Sequence, residues 1–384
     1  MARYQRSWSD IPPELAALVL LRLHAHSDRV RFAAVCRDWR ACARQHQLPP
    51  PLPWFILPGG TFFTLPHSES FLIPNGVEFH SSCGEWLVFA RDDICYLVDT
   101  FSKVTLKLPD LDMYDRIEEP DEVINGHSMC YICLDVDVTM SIYKVIVCSV
   151  LLVAAIVDIG DLRTLAVCRP GGNLWFVSAL GYDRSFDIIL HGGKLLTVDG
   201  WRNLCVIDVE EDSDNGSLFI SRIERIIKGP PWPLRQFPGG LLVFDQYLVE
   251  SHGALLLVRG TIYGKPPEDN HTGFEIRAVR FEFEVCEADF QSSQWVERRS
   301  VGDDQVLFLG PRCSKSVCAP QYNLKGNCIF FLDDGHCQWY WKHAPSAPSS
   351  YAIFDMSDES VRSPLPRGSC KGEEAPATWH FPRG

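Results

Sequence analysis

No stretch of the 384-residue chain stays apolar for the roughly 20 residues that a helix needs to cross a bilayer, so no membrane partner is expected. The longest apolar run, Val145 to Val157, is closed by Lys144 and Asp158. Its β-branched content suits one or two buried strands, with an aggregation-prone segment as second choice. The sequence shows no apolar leader, and its 15 cysteines are scattered through apolar strings. Reduced thiols in an intracellular protein, nuclear or cytoplasmic, are the simpler expectation than an extracellular disulfide framework, and the sequons at Asn215 and Asn270 then go unused.

Positive charge is scarce as well. Lys and Arg total 36 against 49 Asp and Glu, a formal charge of -13. Residues 1–46 carry eight arginines against four acids, or +4, which leaves -17 for the remainder. A main domain so acidic lacks the electrostatic footprint that nucleic acid requires. The basic segment fits either an acidic protein surface or a plain solvated face.

Catalytic signatures are missing too. There is no Gly-x-Ser-x-Gly elbow, phosphate loop, His-Glu-x-x-His or dinucleotide fingerprint. Cys130 and Cys133 form a single Cys-x-x-Cys with no second pair at zinc spacing, which reads as a buried strand rather than a metal site. Asp92-Asp93, Asp303-Asp304 and Asp333-Asp334 are adjacent pairs, and neighbours on a strand point to opposite faces. They suit turn caps better than paired acid/base catalysts. Gly171-Gly172, Gly192-Gly193 and Gly239-Gly240 read as turns, while His80, His127 and His336 have no companions in sequence. The expectation is therefore a chain without catalytic residues, metal or cofactor.

What the chain does contain is two textures. After Trp8-Ser9-Asp10, residues Pro12, Pro13 and Glu14 suit the opening turn of a helix, where a missing N–H costs nothing and a carboxylate meets unpaired donors. Leu15, Leu18, Val19 and Leu23 follow at helical spacing, with Leu20 and Leu21 widening the stripe that is expected to be buried. Asp28 is expected to cap a second helix with Val30, Phe32, Ala33 and Val35, and Cys36 to Arg40 lead into a third that ends near His46. Four prolines between Leu48 and Pro53 stop it. A unit of about 40 residues buries little surface alone, so apolar surface this rich in leucine needs a cover from the next domain or from a partner.

From Trp54 onward the chain turns to short apolar or alternating runs bounded by Gly, Pro, Asn or Asp, such as Trp86–Phe89, Ile94–Asp99, Lys194–Val198, Ala254–Val258 and Cys328–Leu332. Trp 11, Phe 22, Gly 27 and Pro 26 suit such strands. Gly84, Gly172, Gly253 and Gly326 each open an apolar strand, and several units end at an acid: Val98-Asp99, Val206-Ile207-Asp208, Phe354-Asp355. That degenerate unit matches a propeller blade, and blades of roughly 40 to 50 residues allow about six; a large irregular sandwich is the alternative. The fold class is thus a small all-α module followed by a large all-β domain, read as a β-propeller. The boundaries are 7–47 for the module, 48–74 for connecting segment and first strands, 75–357 for the propeller-like domain, and 358–384 for a loose tail into which Trp379 and Phe381 offer a possible return to the domain.

The order Trp8-Ser9-Asp10-Ile11-Pro12-Pro13-Glu14-Leu15, an apolar helix to Leu23, Asp28-Arg29-Val30-Arg31-Phe32 and Val35-Cys36-Arg37-Asp38-Trp39-Arg40 resembles the F-box. The remainder resembles a plant family in which an F-box precedes a propeller named for kinase-inhibiting members. That likeness rests on Asn173-Leu174-Trp175, Asp199-Gly200, Trp295-Val296, Val301 to Gly310, Ser316-Val317, Leu324 to Phe331 and Asp333-Asp334. Two features depart from the family: Cys148-Ser149-Val150-Leu151 replaces a polar turn, so a hairpin is shortened or merged there, and Asp303-Asp304 is unusual.

The resemblance implies docking of a Skp-type linker, and through it a cullin-RING ubiquitin ligase, by Pro12, Leu15, Leu18, Val19, Leu23, Val35 and Trp39, with Trp39 equally suited to core. It also implies recruitment of an unknown protein substrate by the β domain. Trp339, Tyr340 and Trp341 are the favoured substrate contacts, ahead of Trp201 and Tyr247, and core packing is their plainer reading. Two other functions fit the same architecture: a kinase-binding blocker outside any ligase, and a propeller-type small-molecule binder or enzyme.

Overall fold

The computed structural model describes residues 11–46, 48–57, 60–65, 69–72, 78–91, 94–99, 102–117, 140–160, 162–178, 185–213, 216–230, 241–265, 277–333, 350–362 and 377–382. Three helices come first: α1 (Pro13–Leu20), α2 (His26–Val35) and α3 (Arg37–Gln45). Pro13 takes the first position of α1, and the Pro12 carbonyl accepts from Leu15 and Ala16 at 3.0 Å. Between α2 and α3 the chain extends for one residue, Cys36, whose thiol accepts from the Trp39 N–H at 3.4 Å. α2 begins two residues ahead of Asp28, so that carboxylate lies within the first turn instead of capping it, and forms an ion pair with Arg31.

The described strands that follow form a six-bladed propeller. In order from the inner strand outward, blade 1 is Thr378–His380, Trp54–Ile56, Thr61–Thr64 and Glu69–Leu72. Blade 2 is Glu78–Cys83, Trp86–Arg91, Ile94–Asp99 and Thr105–Lys107. Blade 3 is Met140–Ser149, Leu152–Ile159, Leu162–Cys168 and Trp175–Ser178, with Tyr114–Ile117 added in parallel at its edge. Blade 4 is Asp187–His191, Lys194–Val198, Leu204–Glu211 and Leu218–Ile227. Blade 5 is Leu241–Ser251, Ala254–Lys265, Arg277–Asp289 and Gln294–Arg298. Blade 6 is Lys315–Cys318, Gln305–Leu309, Cys328–Asp333, Ser350–Asp355 and Ser360–Arg362, its second and third strands parallel.

The propeller therefore starts at Trp54 and finishes at His380, not at 75 and 357. The expected loose end is also corrected where it is described: Ser360–Arg362 forms the outer strand of blade 6, and Thr378–His380 pairs with Trp54–Ile56. Alternation explains the second contact, since Trp379 and Phe381 are buried among Phe55, Phe308 and Tyr351 while the backbone completes the ladder. The Trp379 indole N–H donates to the Leu309 carbonyl at 2.9 Å. Likewise the run Val145 to Val157 is not one merged strand. Leu152 pairs with Ser149 across a two-residue turn, and Val150, 80% exposed, stands at its tip.

Sequence patterning explains the blades. Each blade is buried on both faces, so its middle strands read as continuous apolar runs, and the cores lie between neighbours. Blades 2 and 3 meet through Val88, Leu97, Val153 and Trp175; blades 5 and 6 through Val258, Val285, Leu307 and Ile329. Two of the three expected acidic ends serve as turn caps, and so does Asp199. Asp99 accepts from the Ser102 hydroxyl at 2.7 Å, Asp199 from the N–H groups of Trp201 and Asn203 at 2.8 Å, and Asp355 from Ser357 at 3.0 Å. Asp208 differs: it sits mid-strand and exposed. Gly326 has a steric role, because a Cβ there would lie 1.8 Å from the Asp303 carbonyl oxygen.

Near the axis, Lys144 of blade 3 and Asp187 of blade 4 form a buried ion pair. Asp187 also accepts from the N–H groups of Ile188 and Leu248, each at 2.7 Å, and so ties blades 3, 4 and 5 together. Burial pushes its carboxyl up from the usual range, against the pull of Lys144 and these donors. Removing the cation alone leaves a buried charge uncompensated. Lys144→Met is expected to cost about 3–5 kcal/mol, read as a lowered urea midpoint for the propeller transition.

Candidate docking surfaces

Three short helices enclose only a small core, and the choice of side chain at each position of α1 decides what is left outside. Ala16, Ala17 and Leu20 face inward against Phe32, Trp39 and Cys42. Small residues at 16 and 17 let α1 approach α3, where the Cys42 thiol donates to the Pro13 carbonyl at 3.9 Å. The opposite face carries Leu15, Leu18 and Val19, which are 53%, 51% and 43% exposed. Positions i, i+3 and i+4 share one helix face, so these three side chains form one apolar surface. Leu21 is 49% exposed just beyond it.

The stripe expected to be buried is therefore divided: Leu20 is buried, whereas Leu15, Leu18, Val19 and Leu21 face solvent. Fully burying a leucine stabilises by roughly 1.5–3 kcal/mol, so half-exposure leaves about 1 kcal/mol per side chain unrealised. Pro12 and Val35 are exposed as well, and Leu23 is half-buried against the small core. Trp39 belongs to that core instead of the surface. It is buried and stacked on Phe32, with ring centroids 4.4 Å apart. Val30, exposed on α2, went unremarked as a surface residue because its spacing from Phe32 and Val35 reads equally well as core. The module also carries the exposed arginines Arg22, Arg31, Arg37, Arg40 and Arg44.

The propeller fixes which rim is free. The chain enters blade 1 at Trp54, opposite His380, so the helical module sits at the rim where the inner strands end. Phe381 just past that end donates to the Gly84 carbonyl at 2.9 Å, and His191 meets Glu250 at 2.9 Å where the inner strands of blades 4 and 5 end. The turn 199–203 joins the second and third strands of blade 4 and lies at the other rim. There Trp201, 59% exposed, projects beside Arg202, whose carbonyl accepts from the Trp295 indole at 2.8 Å. Tyr247 is buried and offers no surface. Trp339, Tyr340 and Trp341 lie outside the described residues, as do Cys130, Cys133, His127 and His336.

Among the described residues no group of three or more His, Cys, Asp and Glu is arranged to hold a metal ion, and no helix is long and apolar enough to cross a membrane. The described cysteines are free thiols, and burial pushes Cys83 and Cys205 up to about 12, far from reactive thiolates. Asp303 and Asp304 are exposed at a turn, where Asp304 stands 3.6 Å from His252.

Comparison with known proteins divides the chain at the same place as the structure. The model for F-box-like domains matches residues 8–48, and the model for the KIB1-4 beta-propeller matches residues 57–355. The Arabidopsis thaliana protein named "Putative F-box protein At5g60060" is 26% identical over 361 residues, covering 85% of this chain and 87% of its own length. "F-box protein At2g17690", also from Arabidopsis thaliana, is 38% identical over 52 residues, covering 12% of each chain.

The buried position of Trp39 has a measurable consequence. Trp39→Ala should cost about 3–5 kcal/mol, comparable to all that a core of this size supplies, and should melt the three helices while the strands persist. Helical circular dichroism near 222 nm would fall, and Trp39→Phe would retain most of it.

Proposed function

The chain belongs to the KIB1-4 beta-propeller family and carries an F-box-like module ahead of the propeller; from that premise we propose that it is a non-enzymatic substrate-recognition adaptor of an SCF-type ubiquitin ligase. The observation that carries the reading is the exposed apolar face of Leu15, Leu18 and Val19 on a helix whose other face already fills its own core. This face receives the Skp-type linker, and through it the cullin-RING assembly. The exposed arginines of the module would add attraction to a linker whose surface is acidic.

The free rim of the propeller, with Trp201 exposed on blade 4, recruits the protein substrate. Trp339, Tyr340 and Trp341, which lie outside the described residues, belong to the same proposal by their place in the sequence, between the third strand of blade 6, ending at Asp333, and the fourth, beginning at Ser350. The chain makes and breaks no bond. It raises the effective concentration of substrate near the ubiquitin donor and sets its orientation. Such work belongs inside the cell, in nucleus or cytoplasm.

The test is co-purification of the full chain with a plant Skp-type linker, beside a variant carrying Leu15→Asp and Leu18→Asp. Both positions are exposed, so the variant should keep its circular dichroism spectrum while linker affinity falls about 100-fold or more. Absence of binding by the well-folded parent would overturn the adaptor reading and leave the propeller to act as a binding protein by itself.

A further inference from the structure

The segment between module and propeller has the composition of a spacer, with Pro49, Pro50, Pro51 and Pro53, yet three of its polar groups are held by neighbours. Proline offers no N–H, so the carbonyls are what a neighbour can hold. Arg29 of α2 donates to the Pro49 carbonyl at 2.6 Å and to the Leu23 carbonyl at 2.8 Å. Tyr322, from the short 3-10 turn of blade 6, donates its hydroxyl to the Pro50 carbonyl at 2.6 Å. The one free N–H inside the run, that of Leu52, donates to the His24 carbonyl at 3.4 Å. Leu52 itself is buried with Phe55, Phe308 and Trp379.

Rings continue the contact. His24 lies edge-on to Tyr322 at 6.0 Å, and His26 edge-on to Trp54 at 5.7 Å. Trp54 in turn stands 5.2 Å from His380, on the strand that closes the ring. The module thus touches the last blade through Tyr322, the first blade through Trp54, and the closing strand through the Trp54–His380 pair. That seam is where closure is most exposed to failure. The closing strand is held by three residue pairs, Trp54 with His380, Phe55 with Trp379 and Ile56 with Thr378, and forming them joins positions more than three hundred residues apart in sequence.

We propose that the helical module is a clamp on the closure seam: Arg29, Tyr322 and the Leu48–Pro53 segment bind the module across blades 6 and 1, stabilise the closing strand, and hold the docking face of α1 at a fixed angle to the free rim. This holds whatever the module binds, because the contacts use the α1–α2 loop and the inward side of α2, leaving Leu15, Leu18 and Val19 untouched.

The experiment is amide hydrogen exchange on the full chain and on Arg29→Ala and Tyr322→Phe, read segment by segment. In each variant the amides of Trp54–Ile56 and Thr378–His380 are expected to exchange about tenfold faster, the scale of one lost hydrogen bond at a site that opens locally, while Leu204–Glu211 of blade 4 stays unchanged. Tyr322→Phe removes a single oxygen and keeps the ring, so it gives a folded variant if Arg29→Ala fails. Unchanged exchange at the seam in a folded variant would overturn the proposal. So would equal acceleration in every blade, which would mean general destabilisation, or loosening confined to the helices.

Discussion

Everything in this molecule hangs on the pairing of Thr378–His380 with Trp54–Ile56. A propeller has no free sheet edge at its axis only if its ends are joined, and here blade 1 is assembled from both ends of the domain. Backbone pairing over three residues is short for such a task, and side chains supply the remainder. Trp379, Phe381 and Phe55 bury among Phe308, Phe330 and Tyr351, the most aromatic of the inter-blade cores. His380, on the opposite face of the same strand, is enclosed beside Trp54, and burial takes its pKa down to about 3, so a neutral ring occupies the seam at physiological pH. Blades 3 to 5 are tied near the axis by Lys144 and Asp187, a polar joint whose worth depends on all its partners being present.

Closure also determines the geometry of function. Because the chain enters the ring where the inner strands finish, the helical module is confined to one rim, and the turn bearing Trp201 falls on the other. The two-ended connector proposed above would follow from chain direction alone. The exposed apolar face of α1 follows from size. Three helices of eight to ten residues cannot turn every leucine inward, and the alanines at 16 and 17 reserve the inward side of α1 for close packing. What remains outside is a small apolar surface held on a rigid helix, the arrangement that protein recognition uses.

Much of this was legible in the residues. Pro12-Pro13-Glu14 marked the start of α1 to within a residue, and the glycine-bounded apolar runs marked strands, because turn chemistry and burial on both faces leave strong local traces. Repeating acids gave the turn caps at Asp99 and Asp355. What periodicity could not tell was which apolar face of α1 is covered: Leu15, Leu18 and Leu20 look alike in sequence, and only the position of α3 separates them. Trp39 shows the same limit in reverse, a large aromatic that suits a surface anchor or a core and is decided by Phe32 beneath it. The closing strand was missed as a strand because three residues after a Ser/Pro/Gly-rich stretch carry almost no local signal. Its identity is a property of the ring, written in a partner more than three hundred positions away.

The central claim is that α1 carries the surface by which this chain joins a larger assembly, with the far rim left free for a second protein. Hydroxyl-radical footprinting of the intact chain, alone and with a Skp-type linker, addresses that claim side chain by side chain. The account predicts that Leu15, Leu18, Val19 and Leu21 lose reactivity on addition of the linker while Trp201 stays as reactive as in the free chain. Protection of Trp201 with α1 unchanged, or no protection anywhere on a folded chain, would contradict it.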